Sequence, residues 1–173
     1  MDKEVLDKVL PAKPEGAKTI IKEPSAPTKL IYVDINRRMR VPKVYLPAKF
    51  SDLKGIDKWI AHAKEAIDAS KSLTLTGDPG TGKTHLAICL MRYNWARTQP
   101  PLHEAPLFVS MPDLFFTLKS SFKSDDTSEE DIINYYTRPS LVVFDDLGVG
   151  NTSDWARGIF YALIDRRIRE EKQ

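Results

Sequence analysis

"LTLTGDPGTGKTHLAICLM", residues 73–91, places three of the chain's eight glycines within six positions, between an apolar run of strand character and an apolar run of helix character. Gly77, Gly82, Lys83 and Thr84 satisfy the pattern G-x-x-x-x-G-K-[ST]. The glycines of this pattern let backbone N–H groups turn inward around phosphate oxygens with no side chain in the way. Gly77, Asp78, Pro79, Gly80, Thr81 and Gly82 are therefore expected to wrap a nucleotide's phosphates, with Lys83, Thr84 and His85 opening the helix behind them. Lys83 should reach the β- and γ-phosphates, the Thr84 hydroxyl should bind Mg²⁺, and the helix N-terminus adds favourable partial charge. A chance match in a turn would lack the two flanking elements, and both are present here.

A second acidic motif supports this reading. "LVVFDDLG", residues 141–148, ends an apolar strand in Asp145 and Asp146, 62 positions after Lys83. Carboxylates at that position form the Walker B arrangement: Asp145 would hold Mg²⁺ through water, and Asp146 would orient or deprotonate the attacking water. Lys83, Asp145 and Asp146 are thus the expected catalytic set. The same letters read as D-x-x-G, a GTPase switch signature, but no N-K-x-D tetrapeptide for guanine occurs in the chain. Adenine, and so ATP, is the favoured nucleotide. A small-molecule kinase would need an arginine-rich lid, for which no segment stands out.

Working outward, Ile56, Trp59, Ile60, Ala63 and Ile67 recur at helical spacing and predict a helix from Gly55 to about Ala69. Leu73 to Thr76 reads as a strand, and a helix is expected from Gly82 to about Trp95. Leu107 to Val109 is a second strand, followed by a helix from Ser110 to about Lys123. Thr127 with Glu130 three residues on signals the cap of a helix ending near Tyr136. Leu141 to Phe144 is a third strand, and a last helix covers roughly Ser153 to Arg169. Strands alternating with helices predict an α/β fold with a parallel sheet.

Bulk properties bound the rest. A chain of 173 residues suits one domain, and its net charge of +2 does not by itself demand a nucleic-acid partner. One cysteine, Cys89, excludes an internal disulfide; His85 stands one helical turn from it, and core packing is the simpler use of that pair. No signal peptide or apolar run of membrane-spanning length is evident, which predicts a cytoplasmic protein with no membrane partner. Residues 1–29 carry Pro11, Pro14, Pro24 and Pro27 among alternating lysines and acids, so a flexible arm is expected. "RRMRVPKVYLPAKF", residues 37–50, then reads as an extended basic linker strapped onto the domain.

"GDPGTGKTHLA" and "LVVFDDLGVG" resemble the AAA+ ATPases of the DnaC-type helicase loaders and the IstB-type transposition ATPases. The resemblance runs from about Arg40 to Gln173 and includes "VPKVYLPAKFSDL", "VSMPDLFFTLKSSF", "SEEDIINYY" and "ALIDRRIREE". It implies a P-loop NTPase (AAA+) sheet flanked by helices over 40–173, behind an arm at 1–39. It also implies an ATPase that loads a ring helicase on single-stranded DNA in replication, or a transposition helper partnered by a transposase. Adenine is expected against the linker around Tyr45 to Phe50. A non-hydrolysing nucleotide-switch adaptor is the rival from another class. The family continues beyond Walker B with a sensor strand, an arginine finger and a helical lid that have no match here. The sheet is therefore expected to be incomplete at its C-terminus, with the Walker A and Walker B strands not touching, and homo-oligomers are expected of the full-length protein. Aspartate at Asp146 departs from the glutamate of many AAA+ proteins.

The helix after Ser110 carries a stripe of Leu114, Phe115, Leu118 and Phe122, with Phe116, Lys119 and Lys123 on the adjoining arc. An aromatic beside two lysines suits stacking and phosphate contact on single-stranded DNA, and a solvated face beside a core stripe explains them equally well. Arg166 falls on the apolar face of the last helix with Trp155, Ile159 and Leu163, where a charge needs a partner or a subunit seam.

Overall fold

The computed structural model describes residues 35–121, 128–147 and 154–173. Most of the expected arm thus lies outside the described residues, as do Phe122, Lys123 and the Thr127 cap. Helix α1 spans Asp57–Asp68, α2 Lys83–Thr98, α3 Met111–Ser121, α4 Glu129–Thr137 and α5 Asp154–Arg169. Strands β1, Leu107–Ser110, and β2, Val142–Asp145, pair in parallel, with Leu107 opposite Val142 and Ser110 opposite Asp145.

Alternation along the two strands divides the core. Phe108 and Val143 face one cluster, built with Ile60, Ala63 and Ile67 of α1 and Leu86, Ile88, Leu90 and Met91 of α2. Leu107, Val109, Val142 and Phe144 face the other, with Leu114 and Leu118 of α3, Ile132 and Tyr136 of α4, and Leu163 of α5. Both faces of the small sheet are therefore covered by helices, which is why its strands read as unbroken apolar runs. Ile35 and Met39 also join the first cluster, and the Phe108 N–H donates to the Met39 carbonyl at 2.8 Å.

Four local expectations are corrected. Residues 71–76 lead into the phosphate loop without joining a β-ladder among the described residues, and Leu73 is 41% exposed. The edge of β2 away from β1 meets Gln173 instead: the Val142 N–H donates to the Gln173 carbonyl (2.9 Å) and the Gln173 N–H to the Ser140 carbonyl (3.1 Å). The Gln173 side chain reaches on to the carbonyls of Ile67 and Lys71. The linker is not extended but holds two 3₁₀ turns, Lys43–Tyr45 and Phe50–Asp52, preceded by Arg40 in a left-handed conformation (φ 56°). Trp59, read as apolar-face, is 72% exposed. Helix α4 is capped by Ser128 and Asp131, each accepting the other's backbone N–H; the Ser128 hydroxyl, and then its backbone N–H, donate to the Asp131 carboxylate and hold it below its ordinary range.

Candidate functional site

Residues 77–82 form a bend at the N-terminus of α2, made possible by positive φ at Gly77, Gly80 and Gly82. Gly82 matters most: its φ is +88°, and a Cβ there would lie 2.9 Å from the Leu53 methyl group. No other residue type fits that corner without moving its neighbour. Inside the bend, the Lys83 ammonium donates to the carbonyls of Gly77 (2.9 Å) and Asp78 (2.7 Å), and the Thr81 hydroxyl donates to Asp78 (2.8 Å). The lysine thus lies across the mouth of the loop with its charge held by backbone dipoles and, among the described residues, no carboxylate.

Thr84 and Asp145, 61 positions apart, meet at the C-terminal end of β2. The Thr84 hydroxyl lies 3.1 and 3.0 Å from the two Asp145 oxygens, and both residues are half-buried. Asp146, next in the chain, turns out to solvent in a left-handed conformation (φ 59°). Among the described residues no group of three or more His, Cys, Asp or Glu could hold a metal. One carboxylate and one hydroxyl beside a phosphate loop nonetheless fit Mg²⁺, which is bound through one or two protein oxygens plus substrate phosphates.

The next residue on α2 looks elsewhere. His85 Nε2 donates to the Lys49 carbonyl at 2.8 Å and stands 3.6 Å from an Asp52 oxygen. Successive helical residues diverge by about 100°. Thr84 therefore faces the strand end while His85 faces the strap of residues 42–53. His85 is not paired with Cys89, which is buried in the core, where burial pushes its thiol up to about 11.

Phe116 is 75% exposed on α3 beside exposed Lys119, while Leu114 and Leu118 of the neighbouring stripe are buried. Arg166 donates to the Asn134 side chain. Arg167 is buried and donates to the carbonyls of Tyr136, Thr137 and Pro139, so it satisfies the C-terminal end of α4. Burial lowers its pKa to about 10. Both arginines are engaged within the chain.

Sequence reasoning passed over Arg92. It is 3% exposed and donates to Asn36 Oδ1, Ala48 O, Tyr45 O and Leu46 O at 2.8–3.1 Å. The available signal was a charge at a position sharing a helix face with Ile88 and Cys89.

Residues 49–172 match the family described as "IstB-like ATP binding protein". The match covers well over half of the sequence, and the chain belongs to that family. It is also similar to the replicative helicase loader DnaC of Escherichia coli (strain K12), 31% identical over 101 residues, covering 58% of this chain and 39% of the relative. The replicative helicase loader DnaC of Buchnera aphidicola subsp. Baizongia pistaciae is 30% identical over 144 residues, covering 78% of this chain and 56% of the relative. The chain thus spans between two fifths and three fifths of the length of these relatives. No helix among the described residues is long and apolar enough to cross a membrane.

Proposed function

We propose that this IstB-like ATP-binding chain is the ATPase module of a helicase-loader-like protein, which binds Mg²⁺·ATP at the α2 N-terminus and hydrolyses it. The observation that carries the reading is the Thr84–Asp145 contact, which brings the two halves of a bipartite phosphate–metal site within hydrogen-bond distance. In this reading the 77–82 backbone surrounds the phosphates, and Lys83 leaves its two carbonyls to pair with phosphate oxygens. Thr84 and Asp145 hold Mg²⁺, whose contribution is to neutralise the charge building on the phosphates. Asp146, exposed at the end of β2, orients the attacking water and takes its proton.

The relatives named as replicative helicase loaders support a ring helicase as partner, acting on single-stranded DNA in the cytoplasm, with the full-length protein working as a homo-oligomer. Membership of the IstB-like family supports a second partner class, a transposase. Phe116 and Lys119 supply a stacking ring and a cation on one exposed face of α3, and Lys123 continues that arc in the sequence.

Two assays test this. Phosphate release from ATP by the full-length protein should require Mg²⁺ and rise when single-stranded DNA is added; binding without any release by the full-length protein would favour the nucleotide-switch adaptor. Changing Phe116, Lys119 and Lys123 together to Ala should weaken DNA binding and flatten its salt dependence. Unchanged affinity would return α3 to the role of a solvated helix face.

A further inference from the structure

We propose that Arg92 is a positioning residue for the nucleoside half of the nucleotide, acting through the strap at residues 42–53. The inference rests on the phosphate-loop reading above and adds how the rest of the nucleotide is held.

The two flanks of the phosphate loop are unlike. On one flank Thr84 meets Asp145, a polar corner suited to a cation and the terminal phosphates. On the other, Leu53 lies against Gly82 and His85 is bonded to Lys49. Tyr45, Phe50, Leu53 and Ile56 pack there, partly buried, on the first core cluster. A nucleotide with its phosphates in the loop and its metal at Thr84 and Asp145 must lead its ribose and base away from that polar corner, toward the strap. The strap carries half-buried aromatic and aliphatic residues, Tyr45, Phe50 and Leu53, of the kind a base packs against.

Apolar packing seats the strap on the core, and one side chain gathers its carbonyls. Val44, Leu46 and Pro47 are exposed, and the 3₁₀ turns at Lys43–Tyr45 and Phe50–Asp52 are too short to persist alone. Arg92 inserts its guanidinium beneath them and gathers the carbonyls of Tyr45, Leu46 and Ala48, while its Nε donates to Asn36. The four acceptors are met by three different guanidinium nitrogens, Nε, Nη1 and Nη2, a spread that the single nitrogen of a lysine does not span. His85 and Arg92 are seven residues apart, two turns of α2, and so lie on one helix face. They hold the strap at two heights along the helix that begins at the phosphate loop. No carboxylate pairs with Arg92 among the described residues, so its charge is spent entirely on strap and Asn36 oxygens.

The test compares ligands with and without a nucleoside. Affinities of the wild-type chain, Arg92→Lys and Asn36→Ala would be measured for Mg²⁺·ATP, Mg²⁺·ADP and Mg²⁺·tripolyphosphate, with a thermal melt of each protein. Arg92→Lys keeps the charge and loses the fork. It should weaken ATP and ADP about tenfold, the loss of one to two hydrogen bonds, while tripolyphosphate binding stays within about twofold. Asn36→Ala should move the same ratio in the same direction by less, and it carries the test if the lysine variant does not fold. Equal weakening of all three ligands would make Arg92 merely structural, and no weakening of any would leave the strap without a role; either overturns the proposal. A wild-type chain that binds tripolyphosphate as tightly as ATP also overturns it. Wild-type protein that binds none of the three would instead refute the phosphate-loop reading itself.

Discussion

The two flanks of the α2 N-terminus are held by different kinds of chemistry. On the β2 flank, side chain meets side chain: the Thr84 hydroxyl and the Asp145 carboxylate. On the strap flank, side chains meet backbone: His85 at the Lys49 carbonyl and Arg92 at three more. The first flank announces itself in the sequence because both partners must be particular residue types. The second is nearly silent there, because every residue offers a carbonyl and only the donor leaves a trace. The pairing is therefore legible in the sequence on one side of the loop and only in three dimensions on the other.

The comparison breaks first at Lys83, which stands between the flanks. Lys83→Ala should lower ATP affinity by about 30- to 150-fold, the 2–3 kcal/mol expected from losing charged hydrogen bonds to phosphate. Its melting temperature should change little, because the two carbonyls it now binds are exposed to water. Titration calorimetry with Mg²⁺·ATP checks the affinity, and retained affinity would mean that the phosphates sit elsewhere.

The strap flank can be probed by a pair of glycines. Gly82 and Gly55 both have positive φ, 88° and 76°, but a Cβ meets Leu53 at 2.9 Å at Gly82 and nothing within 4 Å at Gly55. Alanine at either position should cost roughly 1–2 kcal/mol for the left-handed backbone alone. Gly82→Ala should cost more, and the excess should fall when Leu53→Ala is added. Equal melting shifts for the two single variants would show that the strap does not press on the loop.

How much was legible follows the same division. The glycine-rich bend, β1, β2 and the helices between them are legible because each carries its own periodicity or motif. The run at 73–76, Leu-Thr-Leu-Thr, reads as a strand like 107–109, yet only Leu107–Ser110 is one. Strand character is a property of pairing, and Leu73 to Thr76 meets no ladder partner among the described residues. The 3₁₀ turns of the strap escaped notice because Pro42 and Pro47 suggested extension, whereas Arg92, some 45 residues away, draws those carbonyls together. Trp59 was assigned to the apolar face on spacing alone, and the face that packs is carried by Ile60, Ala63 and Ile67.

The smallest effect expected separates the two neighbouring aspartates of the β2 flank. Asp145 is half-buried and accepts from Thr84, whereas Asp146 is exposed with φ 59°. Asparagine tolerates the left-handed region as well as aspartate does, so Asp146→Asn changes charge without straining the backbone. It should leave ATP affinity within about twofold and reduce phosphate release, because only the group facing the attacking water has changed. Asp145→Asn keeps an oxygen for Thr84 but loses the negative charge a hard cation prefers. The ratio of ATP affinity with Mg²⁺ to that with EDTA should therefore fall by about tenfold in Asp145→Asn, the 1.4 kcal/mol scale of one weakened charged contact, and stay near the wild-type value in Asp146→Asn. An equal fall in both variants would mean that the two carboxylates share the metal, and the division of labour between the half-buried and the exposed aspartate would have to be abandoned.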